Sequence, residues 1–137
     1  MIVSLLLFSM IGCSQGPQPI KLGADACTFC KMTIANQNFG AEVINKKGKA
    51  FKFDDTHCLV AFMKAGTVAK DDIAKIYLVN FSEPHNFIEH KEAKFLKSDE
   101  LHSPMGGNIA TFDDEAKLQA VKQKTGGEQV NWDQIVK

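Results

Sequence analysis

No stretch of this 137-residue sequence stays apolar long enough to cross a bilayer as a helix, which takes about 20 residues. The most apolar stretch, Ile2 to Ile11, runs into Gly12-Cys13 and has the size of the hydrophobic region of an export signal. A small residue directly before a cysteine matches a bacterial lipobox, where cleavage leaves the cysteine as an acylated N-terminus; the plainer alternative is an ordinary signal peptide. The expectation is a signal peptide over 1–12, a lipidated Cys13, and a domain in the cell envelope, anchored to a membrane and facing the periplasm. An excess of charge is missing as well. Lys plus Arg and Asp plus Glu number 16 each, so nothing in the net charge points to nucleic acid or an anionic surface as partner.

Cysteine is scarce, and none lies beyond Cys58. Once acylation has used Cys13, only Cys27, Cys30 and Cys58 remain, an odd number that cannot all pair. In an exported chain, where oxidation is the default, a leftover thiol argues for a metal ligand or a reactive group and against a purely structural disulfide framework. Also absent are a Ser/His/Asp order, a phosphate-cradling glycine loop and a paired catalytic carboxylate. No enzyme activity is expected.

About 125 residues follow the lipobox, enough for one compact domain with a real core. Residues 13–22, with Gly16, Pro17 and Pro19, read as the lipidated cysteine and a flexible tether, and the folded part is expected over 23–137. Two short apolar stretches, Ala41 to Ile44 and Ala50 to Phe53, flank the turn Asn45-Lys46-Lys47-Gly48 and predict a hairpin. Asp54, Asp55 and Thr56 can cap a helix carrying Leu59, Val60, Phe62 and Met63 that Gly66 ends, and Ile73 to Phe81 reads as a strand. The unit is strand, strand, helix, strand. The second half repeats it: an apolar strand ends in Phe112-Asp113-Asp114, as the first ends in Phe53-Asp54-Asp55, and a helix with Ala116, Leu118 and Val121 stops at Gly126-Gly127. Matching order and spacing favour an internal duplication, with repeats at about 27–81 and 85–137. The expected class is α+β, two ββαβ repeats forming small sheets each covered by one helix.

What the sequence does have is sulfur in one place: "DACTFCKMTI" sets Cys27, Cys30 and Met32 within one short segment. If the chain is extended there, Cys30 and Met32 leave the same face and can converge on one atom. Cys27 stands three residues before Cys30, a spacing at which a tight turn lets two thiolates reach a common metal. Thiolate with thioether favours Cu(I), whereas zinc prefers thiolate, imidazole and carboxylate. Three rivals stay open. Met32 can be core filler; Cys27, Cys30, Cys58 and His57 can form a structural Zn(II) knot; and Cys27 with Cys30 can be a disulfide or a redox dithiol, although no helical apolar period follows Cys30. The second half carries "HSPMGGN" in place of the sulfur cluster, with Met105 in a loop where a core methionine would be out of place. His85, His90 and His102 lie in polar surroundings and read as solvated.

An export signal with a lipobox, Cys-x-x-Cys-x-Met, a strand ending Phe-Asp-Asp before a cysteine-bearing helix, and "SPMGGNIATF" ahead of a second helix together resemble the NosL family, the nitrous oxide reductase accessory proteins. The resemblance runs from Asp25 to about Ile135. It implies a duplicated ββαβ fold shared with the organomercurial lyase MerB, and a non-enzymatic role as a copper chaperone that supplies Cu(I) to periplasmic nitrous oxide reductase. Cys30 and Met32 match the Cys-x-Met motif and Met105 the Pro-Met-Gly methionine. Cys27 and Cys58, with cysteines in only part of the family, are implied as further ligands.

Overall fold

The computed structural model describes residues 16–137, so the expected export signal and the acylated Cys13 lie outside the described residues. Among these residues no helix is long and apolar enough to cross a membrane.

The first repeat is built as its turn chemistry directs. Strands β1 (Ala41–Asn45) and β2 (Ala50–Phe53) pair antiparallel around a turn in which the Asn45 side chain accepts from the Lys47 and Lys49 amides and Gly48 takes a positive φ of 84°. Helix α1 (Thr56–Ala65) follows at once: Asp55, in extended backbone, accepts the His57 amide at 2.8 Å as N-cap, and left-handed Gly66 closes the helix. Strand β3 (Ile73–Val79) returns along the other edge of β1. The second repeat runs through β5 (Lys94–Lys97), β6 (Ile109–Phe112), α2 (Glu115–Thr125) and β7 (Glu128–Val130), and its sheet order β6-β5-β7 reproduces β2-β1-β3. In both, the first strand is central and the helix follows the second strand. A short capped helix, α3 (Trp132–Ile135), ends the chain.

Two expectations need correction. Residues 87–89, inside the bounds expected for the second repeat and not read as a strand, form β4 (Phe87–Glu89), which pairs with β3 and completes a four-stranded first sheet, because the chain turns back on itself after Val79 instead of crossing over. The second ββαβ unit therefore begins near Lys94, not at 85. Residues 18–20, expected as tether, pack on the domain. The Gln18 amide donates to Glu42 Oε1 at 2.8 Å, the Pro19 carbonyl accepts from Lys52 Nζ, and Ile20 lies against the core over Gly40, where a Cβ would stand 2.8 Å from it.

The two repeats share their interiors. Phe95 of β5 belongs to the first core with Val43, Phe53, Leu59, Phe62 and Leu78, whereas its neighbour Leu96 points the other way, into the second core with Phe112 and Leu118 of the α2 side. Successive strand residues face opposite sides, so β5 is covered on both. Phe39 joins the second core and Phe81 bridges it, with ring centroids 5.5 Å from Phe39 and 5.7 Å from Phe112. The Phe81 amide, just past the end of β3, donates to the Thr111 carbonyl of β6 at 2.8 Å and ties the two sheets together.

A thiol and carboxylate cluster at the strand-helix junction

The cysteine segment forms a small hairpin of its own. Gly23 donates to Ile34 and Ile34 to Asp25, Ala26 bridges Thr33, and Cys27 donates to Met32 at 2.8 Å. At the tip the Lys31 amide returns to the Cys27 carbonyl at 3.0 Å, which puts Lys31 in the left-handed region at φ 67°. This tip docks on the open edge of β2, where the Thr28 amide donates to the Lys52 carbonyl at 2.8 Å. The chain then leaves β2 through Phe53 and Asp54 into α1, whose third residue is Cys58. Edge docking thus delivers two thiols from the hairpin tip, a carboxylate from the junction and a third thiol from the first helical turn to one place. The ligand atoms of Cys27, Cys30, Asp54 and Cys58 all lie within 4.8 Å of one another. Four donors at about 2.3 Å from a common cation stand about 3.8 Å apart, so small side-chain movements would close these four on an ion.

Burial grades the cluster. Cys27, Cys58 and Asp54 are buried and Cys30 is partly exposed, and all three cysteines are free thiols. Burial, more than any other cause, pushes the Cys58 thiol far above the ordinary thiol range, and the neighbouring Cys27 and Asp54, beside which a further negative charge is disfavoured, add to it. Burial likewise raises Cys27. Several negative charges cannot be held together away from water without a compensating cation, so these thiols stay protonated until a cation displaces their protons.

Of the residues singled out by sequence, Cys27, Cys30 and Cys58 are brought together. Met32 is 60% exposed, which excludes the core-filler alternative, but the extended backbone that would have sent Cys30 and Met32 off one face is not there: the left-handed turn at Lys31 interrupts it. His57, expected as a fourth ligand, is exposed on α1 and outside the group of four; Asp54 stands in the cluster instead. Met105 is half-buried against the first core, its amide donating to Asp55 Oδ2 at 2.8 Å. His90 is not a solvated residue: its ring packs on Trp132 with centroids 4.9 Å apart, and burial lowers its pKa. Asp54 was hidden in the sequence by its neighbour, because both aspartates look like caps. The usable signal is that a helix takes one N-cap; Asp55 fills that position and leaves Asp54 over.

The fold and site together define a small duplicated α+β domain with a thiol-rich, carboxylate-completed cluster of the kind that holds a cation. The chain belongs to the NosL family, whose profile matches residues 19–137. A similar solved structure is the crystal structure of the copper chaperone NosL from Shewanella denitrificans, with a TM-score of 0.74 and 22% sequence identity over 88% of this chain and 95% of that one. At that identity the likeness is one of fold. Comparison with curated proteins gave no match.

Proposed function

We propose that this protein is a Cu(I) metallochaperone that delivers copper for assembly of the copper centres of nitrous oxide reductase, held at a membrane by acylation of Cys13 with its domain in the periplasm. The observation that carries the reading is the convergence of three thiols with a carboxylate, with the thioether of Met32 exposed on the same hairpin, in a chain of the NosL family. Copper is the cargo. Cys27 and Cys58, buried, retain it; Cys30, partly exposed, and Met32, at the surface, are the side from which a partner's sulfur ligand can enter as those of this chain leave. A soft, partly open donor set suits exchange better than a closed cage. Met105 is the ligand offered by the second repeat. The domain carries out no turnover.

A second reading is favoured by Asp54: three cysteines and one carboxylate form a complete tetrahedral set for Zn(II), with a structural role. A thiol oxidoreductase is disfavoured. An attacking thiol needs exposure and a lowered pKa, and Cys27 is buried with its pKa raised.

Titration of the reduced domain with Cu(I) and, separately, Zn(II), each against a chromogenic competitor, separates the two metal readings. Stoichiometric Cu(I) binding that Cys30→Ser abolishes, followed by transfer of Cu(I) to apo nitrous oxide reductase, is expected. Tight Zn(II) that Cu(I) cannot displace, and unfolding by chelator, would establish the zinc reading. For the client, deletion of the protein should leave nitrous oxide reductase short of copper when copper is limiting. For the anchor, Cys13→Ala should move the protein out of the membrane fraction or leave uncleaved precursor.

A further inference from the structure

The duplicated junctions make an internal control. In the second repeat Asp113 is exposed and paired with Lys117 at 3.1 Å, and Asp114 is exposed and does no more than cap α2 through the Lys117 amide. That is what the Phe-Asp-Asp junction needs in order to start a helix. In the first repeat Asp55 is 1% exposed and does more than cap. Its Oδ1 takes the His57 amide, while Oδ2 accepts both the Ser103 hydroxyl at 2.6 Å and the Met105 amide at 2.8 Å. The Ser103 hydroxyl in turn accepts the Asn108 amide at 2.7 Å, and the Ser103 carbonyl accepts Gly106 at 3.0 Å. Gly107 lies so close that a Cβ there would stand 2.5 Å from Asp55 Oδ1. The whole Ser-Pro-Met-Gly-Gly-Asn loop of one repeat is thus hung on a single carboxylate of the other, one residue from Asp54 of the thiol cluster.

We propose that Asp55 is a positioning residue for metal binding: it fixes the Met105 loop against the start of α1, so that the thioether of the second repeat meets the thiols of the first. The proposal rests on the Cu(I) reading above. Groups that orient a metal's ligands cost roughly 10- to 100-fold in affinity when removed, because a ligand that must first be ordered binds more weakly.

Asp55→Asn is the test. Asn caps helices as well as Asp, so the cap is kept while an amide nitrogen replaces the oxygen that faces Ser103 and Met105. Expected are a melting temperature lowered by the lost buried hydrogen bonds, faster hydrogen exchange at the Met105 amide in the metal-free protein, Cu(I) affinity roughly tenfold lower, and one sulfur neighbour fewer in copper X-ray absorption. On a Met105→Leu background, Asp55→Asn should cost nothing further, and Asp114→Asn should leave Cu(I) affinity as it was. Ser103→Ala, which removes one arm of the same anchor, should move Met105 exchange and Cu(I) affinity in the same direction and serves if Asp55→Asn folds poorly. Wild-type affinity and sulfur count in Asp55→Asn, or an equal further loss on the Met105→Leu background, overturns the positioning role while leaving Cu(I) binding intact. A wild-type protein that takes up no Cu(I) overturns the parent reading, and the positioning role with it.

Discussion

The thiol of Cys30 donates to Oδ2 of Asp54 at 3.5 Å, and Oδ1 of the same carboxylate is buried with no hydrogen-bond partner among the described residues. A buried carboxylate oxygen without a partner costs free energy. Its position among three thiols makes a cation the partner that would satisfy it. Asp54→Asn should therefore lower Zn(II) affinity by about tenfold or more and Cu(I) affinity by less, since thiolates carry most of the bonding to a soft ion. Competition titrations with both metals measure this. Equal losses would mean that Asp54 acts by charge alone and not as a ligand.

The raised thiols set a pH dependence with a definite sign. A Cys whose pKa is higher folded than unfolded contributes stability to the metal-free protein below the unfolded value of about 8.5, and that contribution is lost as pH rises past it. Cys27 and Cys58 are both raised. Denaturant melts of the metal-free domain should lose stability above about pH 9, and Cys58→Ala should flatten the loss. Metal binding runs the other way: each thiol that binds gives up a proton, so apparent affinity should rise from pH 6 to pH 8 by up to about tenfold per unit for each proton released. An affinity constant across that range would mean that the thiols are not the ligands.

Met32 offers its thioether to solvent and lends little to the core. Met32→Leu should leave unfolding free energy within about 0.5 kcal/mol of wild type, as exposed substitutions do, and weaken Cu(I) binding. Stability measured beside metal affinity on one preparation separates the two effects. Unchanged Cu(I) affinity would remove Met32 from the ligand set.

Gly106 and Gly107 should respond differently to alanine. Gly106 has a positive φ of 73° and open space around it, so its alanine meets backbone strain alone, about 1 kcal/mol. Gly107 has no such φ, but its Cβ would press on Asp55 Oδ1 at 2.5 Å and on His57 at 3.1 Å, a clash with parts that cannot swing away. Gly107→Ala should cost about 1–3 kcal/mol in denaturant melts and also disturb the Met105 loop. A milder effect than that of Gly106→Ala would mean that the loop is free to lift.

Much of the fold was legible in the residues because each signal was local. Asn45 to Gly48 specify a turn, Asp55 and Gly66 bracket a helix, and Phe-Asp-Asp recurs at the same point of each repeat. Strand β4 went unread, and its residues were counted with the wrong repeat, because pairing partners are a tertiary choice: three residues, Phe87–Glu89, carry no mark of which sheet they join. The N-terminal stretch read as tether because of Gly16, Pro17 and Pro19, yet backbone groups of Gln18 and Pro19 bind Glu42 and Lys52, partners that composition cannot reveal. At the site, spacing brought Cys27 and Cys30 together, and the cysteine count brought in Cys58. The turn at Lys31 and the fourth donor depended on how the hairpin tip meets the edge of β2, a contact between segments that no single segment encodes.

Because Phe95 completes the first core, Phe39 the second, and Asp55 grips the opposite repeat, neither half can come apart while the other stays whole. The chain should melt in a single cooperative transition, and either repeat expressed alone should remain unfolded.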